Sequence, residues 1–156
     1  MQIAIGSDHA GFELKEDLRK FLKERGLGVL DLGAPDETPV DYPEIGRAVA
    51  EKVSTGEIPR GILICGTGIG MSMVANRFPG VRATLCHDLY TARMSREHND
   101  SNLLVLGARL LGKGIAREIL RVWLEAEFQG GNHQRRLDKI AALDEKKRQS
   151  QVASRK

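Results

Sequence analysis

A thiol followed at once by a glycine-rich loop is the feature of this sequence best suited to chemistry. Cys65 ends the apolar run 61–64 and leads into Gly66-Thr67-Gly68-Ile69-Gly70, after which a short helix is predicted over 71–77. Glycines let backbone N–H groups come close to a ligand, and a helix N-terminus adds partial positive charge. These surroundings favour the thiolate, which acts as a nucleophile or as a general base. The pattern therefore predicts a catalytic Cys65 beside a loop that binds an oxyanion or a phosphate.

The loop matches neither of the common nucleotide-binding motifs. No Lys-Ser or Lys-Thr pair follows its last glycine, and its G-x-G-x-G spacing is one residue short of the dinucleotide fingerprint. A tight strand-to-helix turn that needs glycines only for packing remains an alternative. The second cysteine, Cys86, lies within a strand-like run and is predicted to be a core residue.

Other polar groups lie next to predicted strands, where several of them could converge. Parallel sheets bind ligands at the carboxyl ends of their strands, so side chains just beyond a strand are candidates for a site. Arginine binds phosphate through two parallel hydrogen bonds, although a solvated helix face is an alternative for a basic cluster. The groups beyond a strand are Asp8-His9, His87-Asp88 and Arg109, whereas His98-Asn99-Asp100 precedes the fifth strand and His133-Gln134-Arg135-Arg136 begins the last helix.

Short apolar runs alternate with amphipathic helical patterns along the chain. The predicted strands are 3–5, 29–32, 62–65, 81–86 and 103–106, and the predicted helices are 12–25, 42–54, 71–77, 89–97, 115–128 and 133–147. This alternation predicts an α/β fold, a Rossmann-like three-layer sandwich with a five-stranded parallel sheet. The last helix has one thin apolar stripe, so we expect it to pack on a partner subunit, with closure of its own domain as the alternative.

Composition predicts an ordinary globular protein. The 156 residues, of which 41% are hydrophobic, predict one domain over 1–148 and a basic, disordered tail over 149–156. Much of the net charge of +3 comes from the end of the chain, which argues against nucleic-acid binding.

No run approaches the roughly 18 apolar residues of a membrane span and no secretory leader is visible, so we expect a cytoplasmic protein with reduced thiols and no membrane partner. The two cysteines lack zinc-type spacing, so we expect no metal site.

Several separate motifs together resemble a known family. They are residues 6–12, 41–43, 65–72, 75–77, 98–100 and 130–136, which read GSDHAGF, DYP, CGTGIGMS, ANR, HND and GGNHQRR. On these residues, chain 1–147 is similar to ribose-5-phosphate isomerases of type B, in the RpiB/LacAB sugar-phosphate isomerase family. The resemblance implies that the protein interconverts ribose 5-phosphate and ribulose 5-phosphate without a metal or an organic cofactor. It also implies a homodimer or homotetramer whose active sites are shared between subunits.

The resemblance implies roles for the residues around the thiol. Cys65 would be the base that moves a proton between C1 and C2 of the sugar, and His98 would help to open the furanose ring. Thr67 would assist nearby. The segment Gly66-Thr67-Gly68-Ile69-Gly70, together with Asn99, would hold the oxygens of the enediolate.

Contacts to the rest of the sugar phosphate are implied in the same way. Asp8 and His9 would contact the sugar, and Arg109 and Arg136 would bind the phosphate, with Arg136 supplied by the partner subunit. Family members often carry arginine where this chain has Asn132, whose amide still donates a hydrogen bond but lacks the charge. An isomerase of a six-carbon phosphate, such as allose or galactose 6-phosphate, remains an alternative. So does a non-catalytic module that binds a sugar phosphate or a nucleotide.

Overall fold

The computed structural model describes residues 1–155, in which strands and helices alternate. The strands are β1 (Gln2–Ser7), β2 (Gly28–Asp31), β3 (Arg60–Cys65), β4 (Ala83–Leu85) and β5 (Leu103–Gly107). The helices are α1 (Phe12–Glu24), α2 (Tyr42–Ser54), α3 (Ile69–Ala75), α4 (Leu89–Glu97), α5 (Lys113–Glu125) and α6 (Asn132–Ala153), with a 3-10 turn over His9–Gly11. Every predicted element is present, and α2 and α4 have the predicted bounds.

The strands are all parallel and lie in the order β2-β1-β3-β5-β4. Helices cover both faces of this sheet, which confirms the predicted α/β architecture. In the centre of the sheet, Gly61 pairs with Leu103 and Cys65 pairs with Gly107. Cys65 and Gly107 therefore share the end at which the strands finish, here named the carboxyl edge. The opposite end, at which the strands begin, is the amino edge.

Two apolar clusters hold the helices on the sheet. Trp123 of α5 and Leu18 of α1 are fully buried in the cluster on one face, and Met71 of α3 and Val49 of α2 in the cluster on the other. The central strands are covered on both faces, which explains why they are continuous apolar runs. Cys86 belongs to the first cluster, as predicted, and burial raises the pKa of its thiol.

The last helix is longer than the sequence pattern predicts. α6 continues to Ala153, so residues 149–153 are helical rather than part of a disordered tail. No proline or glycine interrupts 144–153, and Ser150 Oγ donates to the carbonyl of Lys146, so nothing ends the helix at residue 147. Among the described residues of α6 only Leu137 is buried, whereas Ile140 and Leu143 are more than half exposed at 52% and 56%.

A buried ion pair fixes the loop after β2 against the end of β1. Lys15 is completely buried, and its ammonium group donates to Asp31 Oδ2 at 2.9 Å and to the carbonyl of Ala34. Ala34 in turn donates its N–H to the carbonyl of Ser7 at 2.6 Å. Lys15 therefore holds this loop beside the residue that precedes Asp8.

We expect Asp31→Ala to lower the free energy of unfolding by about 3–5 kcal/mol, because it leaves the buried Lys15 ammonium without the carboxylate to which it is hydrogen-bonded. Glu16→Ala is the control, because Glu16 lies 3.5 Å from the same ammonium but is 41% exposed. Its loss should cost about 0–1 kcal/mol. Urea unfolding at one fixed protein concentration measures both variants. Equal losses would show that burial of Lys15 does not set the strength of the pair.

Candidate active site

Cys65 lies directly beneath the glycine loop at the carboxyl edge. Its side chain is 6% exposed and packs in an apolar cluster, and its Sγ accepts the N–H of Gly68 at 3.1 Å. The sequence predicted several N–H donors around this sulfur, and within residues 1–155 the structure gives this one. The side chains of Thr67 and Ile69 are exposed. The sulfur therefore lies at the boundary between the core and an open loop.

The backbone of the loop combines tight packing with free donors. Gly68 has a φ of +78°, and a Cβ at this position would lie 3.1 Å from the carbonyl carbon of Leu106, so a side chain is excluded on both counts. Within the described part of the chain, the N–H groups of Gly66 and Thr67 donate to no protein acceptor. Close packing thus explains why residue 68 is glycine. The unpaired N–H groups of Gly66 and Thr67 leave the loop able to bind a negatively charged oxygen.

Tyr42 and His87 lie at the same edge, although neither was given a role in the site; His87 was named only among the groups that follow a predicted strand. A Cβ on Gly70 would lie 2.5 Å from Cζ of Tyr42, so the tyrosine ring rests on the glycine loop. The Nε2 atom of His87 is buried without a hydrogen-bond partner, and it lies 2.9 Å from the position of a Cβ on Gly107. The sequence carried a signal for both, since Tyr42 stands in the DYP motif and His87 follows a predicted strand.

Asp8 and His9 are held beside the thiol by backbone contacts. The N–H of Asp8 donates to the carbonyl of Ile64 at 3.2 Å, and Oδ1 of Asp8 accepts the N–H of Gly11 at 3.0 Å. The second carboxylate oxygen of Asp8 is therefore left for another partner. Nδ1 of His9 accepts the N–H of Val40 at 3.3 Å, so a neutral His9 ring carries its proton on Nε2.

Arg109 lies along the glycine loop. Its N–H donates to the carbonyl of Gly66 at 3.0 Å, and its guanidinium Nη1 is 3.0 Å from the position of a Cβ on the same glycine. The side chain is exposed, and no carboxylate in the described part of the chain lies within 4.0 Å of it. The guanidinium is therefore available to an anion bound at the carboxyl edge.

The remaining predicted residues form a second group at the amino edge. His98 caps the end of α4, and Asn99 follows it on the loop that leads into β5. The His98 ring stacks on His133 of α6, with 4.2 Å between ring centroids and 10° between ring planes. Desolvation, together with the charges of His98 and Arg136, lowers the pKa of His133. Asn132 and Arg136 are exposed on the same first turns of α6.

One chain does not bring these two groups together. The carbonyl of Asn102 accepts the N–H of Gly61 at 2.9 Å, which places the end of the His98 loop at the start of the central strands. β5 then rises about 13 Å before it reaches Gly107, the neighbour of Cys65. A site that uses both Cys65 and His98 must therefore take them from two copies of the chain.

Two further properties describe the molecule as a whole. No helix within residues 1–155 combines the length and the apolar character that a membrane crossing requires. The same residues contain no group of three or more His, Cys, Asp or Glu side chains arranged as ligands for a metal ion.

The fold and the carboxyl edge define an α/β enzyme that acts on a small anionic substrate, with a thiol, a carboxylate, an arginine and free backbone N–H groups at one sheet edge. The family described as Ribose/Galactose Isomerase matches residues 3–140. The structure is similar to ribose-5-phosphate isomerase B of Clostridium thermocellum, with 53% identity, a TM-score of 0.92 and coverage of 94% of this chain and 99% of that one. The chain belongs to the ribose/galactose isomerase family, a family of aldose–ketose isomerases.

Two other relatives agree with this membership. Ribose-5-phosphate isomerase B of Escherichia coli is 44% identical over 146 residues, which covers 94% of this chain and 98% of the relative. A structure of ribose-5-phosphate isomerase B from Mycoplasma genitalium with bound ribulose-5-phosphate is 40% identical, with a TM-score of 0.89 and coverage of 92% of this chain and 96% of that one.

Proposed function

We propose that this protein interconverts ribose 5-phosphate and ribulose 5-phosphate through an enediolate, with Cys65 as the base. The observation that carries the proposal is the placement of the Cys65 sulfur under a loop whose Gly66 and Thr67 N–H groups have no protein acceptor. The reaction moves hydrogen within one molecule, so it needs no external oxidant or reductant. We therefore expect activity without a metal or an organic cofactor.

The chemistry at the carboxyl edge follows from where charge develops. The Cys65 thiolate takes the proton from C2 of the open aldose, and negative charge builds on the carbonyl oxygen as the enediolate forms. Free N–H groups of the loop stabilise that oxygen, and a donor of this kind is worth about 3 kcal/mol in the transition state. The protonated sulfur then returns the proton to C1, and the proton of the C2 hydroxyl passes to the oxygen on C1, so the C2 carbonyl forms and the product is the ketose. In this proposal, Thr67 and the second carboxylate oxygen of Asp8 contact hydroxyl groups of the sugar.

His98 acts before this proton transfer. Ribose 5-phosphate exists mainly as a closed furanose, which must open before its C2 proton becomes acidic. His98 donates a proton to the ring oxygen as the bond between C1 and that oxygen breaks, and the anomeric hydroxyl gives its proton to solvent as the C1 carbonyl forms. Asn99 then contacts the enediolate oxygens. His9, with its proton on Nε2, is a hydrogen-bond donor to the sugar.

The phosphate lies between arginines of two subunits in this proposal. Arg109 is available beside the glycine loop, and Arg136 lies at the amino edge, with His98. Binding the phosphate away from the reacting carbons orients the sugar and contributes to the transition state. Asn132 contributes a neutral donor at the position where an arginine is frequent, so we expect weaker phosphate binding than an arginine would give.

A second copy of the chain completes the site. The amino edge of one copy, which carries His98 and Arg136, meets the carboxyl edge of the other, which carries Cys65. Large apolar side chains surround the carboxyl edge and are exposed in the single chain, as an interface requires. They are Ile69 (50%), Met73 (64%), Leu89 (41%), Tyr90 (72%) and Leu110 (61%). We propose a homodimer or a homotetramer of such pairs, located in the cytoplasm.

A six-carbon phosphate is the second candidate substrate, because the matching family includes galactose isomerases by description. An assay of ribose 5-phosphate beside allose 6-phosphate and galactose 6-phosphate separates the two. We expect the highest kcat/KM for ribose 5-phosphate, and no turnover of ribose without phosphate at the same concentration. A higher kcat/KM for one of the six-carbon phosphates would identify that compound as the substrate. If none of these sugar phosphates is converted, a non-catalytic binding module is favoured.

A further inference from the structure

The third residue of the HND motif, Asp100, is held on two sides by arginines. Oδ1 of Asp100 accepts from Nη1 of Arg96 at 2.9 Å, and Oδ2 accepts from Nη2 of Arg82 at 3.2 Å. Nε of Arg82 also donates to the backbone carbonyl of Asp100 at 2.8 Å. Both carboxylate oxygens are therefore occupied by the protein, which leaves Asp100 poorly suited to bind substrate itself.

The arginines hold an unusual backbone conformation at this residue. Asp100 has a φ of +45°, and within residues 1–155 it is the one residue other than glycine with a positive φ. This left-handed turn comes directly after His98 and Asn99, at the point where the chain leaves α4 for β5. Aspartate tolerates that conformation better than most residues, but the turn still needs support from its surroundings.

The support continues into the core. Arg96 is 6% exposed, and its guanidinium also donates to the carbonyl of Ser101 and lies over the ring of Trp123, with 5.8 Å to the ring centroid. Nε1 of Trp123 donates to Oγ of Ser101 at 3.2 Å. Arg82 is joined to the same loop through its own N–H, which donates to Oδ1 of Asn102 at 2.7 Å. These contacts therefore connect the turn to three elements: α4 through Arg96, α5 through Trp123, and the start of β4 through Arg82.

We infer that Asp100 is a positioning residue, whose two arginines hold the turn that presents His98 to the active site of the partner subunit. The inference rests on the proposed function of His98 in ring opening. Asp100 acts through the backbone on the ring that stacks on His133, and it does not touch the substrate. A misplacement of about 1 Å in a reacting group can cost about 100-fold in rate, so a small shift of this turn is enough to matter.

A double-mutant cycle tests the inference. We expect Asp100→Asn to lower kcat for ribose 5-phosphate about 10-fold or more in the wild-type chain, and no more than about 2-fold when His98 is already replaced by glutamine. Asp17→Asn is the matched control, because Asp17 also pairs with an arginine, Arg117, but between α1 and α5. We expect that control to keep its activity in both backgrounds. An equal fold-loss from Asp100→Asn in both backgrounds, or no loss in either, would overturn the inference.

A second variant and a structural measurement keep the inference testable if Asp100→Asn fails to fold. Arg82→Gln removes the partner of Oδ2 of the same carboxylate without changing the motif. It replaces Asp100→Asn in the cycle should that variant fail to fold, as judged by Trp123 fluorescence. The proton contact between the His98 and His133 rings, followed by NMR, should weaken in Asp100→Asn and persist in Asp17→Asn. A wild-type chain without isomerase activity would refute the proposed function, while an undisturbed ring contact in Asp100→Asn would refute the role of Asp100.

Discussion

Replacing Cys65 by alanine is expected to lower kcat for ribose 5-phosphate by about 10²- to 10⁴-fold, the usual contribution of a general base. The loss follows because the sulfur is the proposed base, and its hydrogen-bond partner, the N–H of Gly68, is a donor that cannot take over that role. The free energy of unfolding should change little, because the side chain is replaced by a slightly smaller apolar group. Steady-state rates in both directions, with circular dichroism as a check of folding, measure the change.

Cys86→Ala is the matched control for that prediction. Cys86 is also a buried thiol, 2% exposed, but it lies in the apolar cluster on the opposite face of the sheet from Cys65. We expect this variant to retain nearly all of its activity. In D2O the wild type should also incorporate deuterium at C1 of ribulose 5-phosphate, and the Cys65 variant should not. A Cys65→Ala enzyme that keeps its rate and its exchange would eliminate the sulfur as the base.

The fold was largely predictable because its signals are local. Apolar runs and amphipathic periods along the sequence indicated every strand and helix, and parallel strands must then place the polar residues that follow them at one edge. The structure places Cys65, Asp8 and Arg109 at that edge, as this rule requires. The same rule implies that residues before a strand lie at the opposite edge, and this is where the structure places His98 and Asn99.

Features that depend on contacts between distant residues were not predictable. The ring of Tyr42 rests on Gly70, a residue of another helix, and nothing in the spacing of either residue indicates the contact. Asp100 belongs to the polar cluster His98-Asn99-Asp100 in the sequence, and nothing there indicates that Arg82, 18 residues away, pairs with its carboxylate. The end of α6 was predicted too early because a run of basic residues was interpreted as a solvated tail, although lysine and arginine are good helix formers.

The separation of Cys65 and His98 within one chain leads to a prediction about mixed dimers. A dimer that combines a Cys65→Ala chain with an Arg136→Ala chain should have about half the activity of the wild-type dimer, although each variant alone is nearly inactive. With two-fold symmetry, one of its two sites collects both defects and the other collects neither. Co-expression with two different affinity tags and sequential purification isolates the mixed species for assay.

The control is a mixed dimer of a Cys65→Ala chain and an Arg109→Ala chain. Arg109→Ala also removes an arginine, but this arginine lies at the carboxyl edge. Arg109 contacts the loop that follows Cys65 in its own chain, through an N–H to Gly66 O distance of 3.0 Å. Defects at Cys65 and Arg109 on separate chains must therefore fall in separate sites, and this mixed dimer should remain inactive. Recovery in both mixed dimers, or in neither, would contradict the division of the site between two edges, because only that division makes the two arginines behave differently.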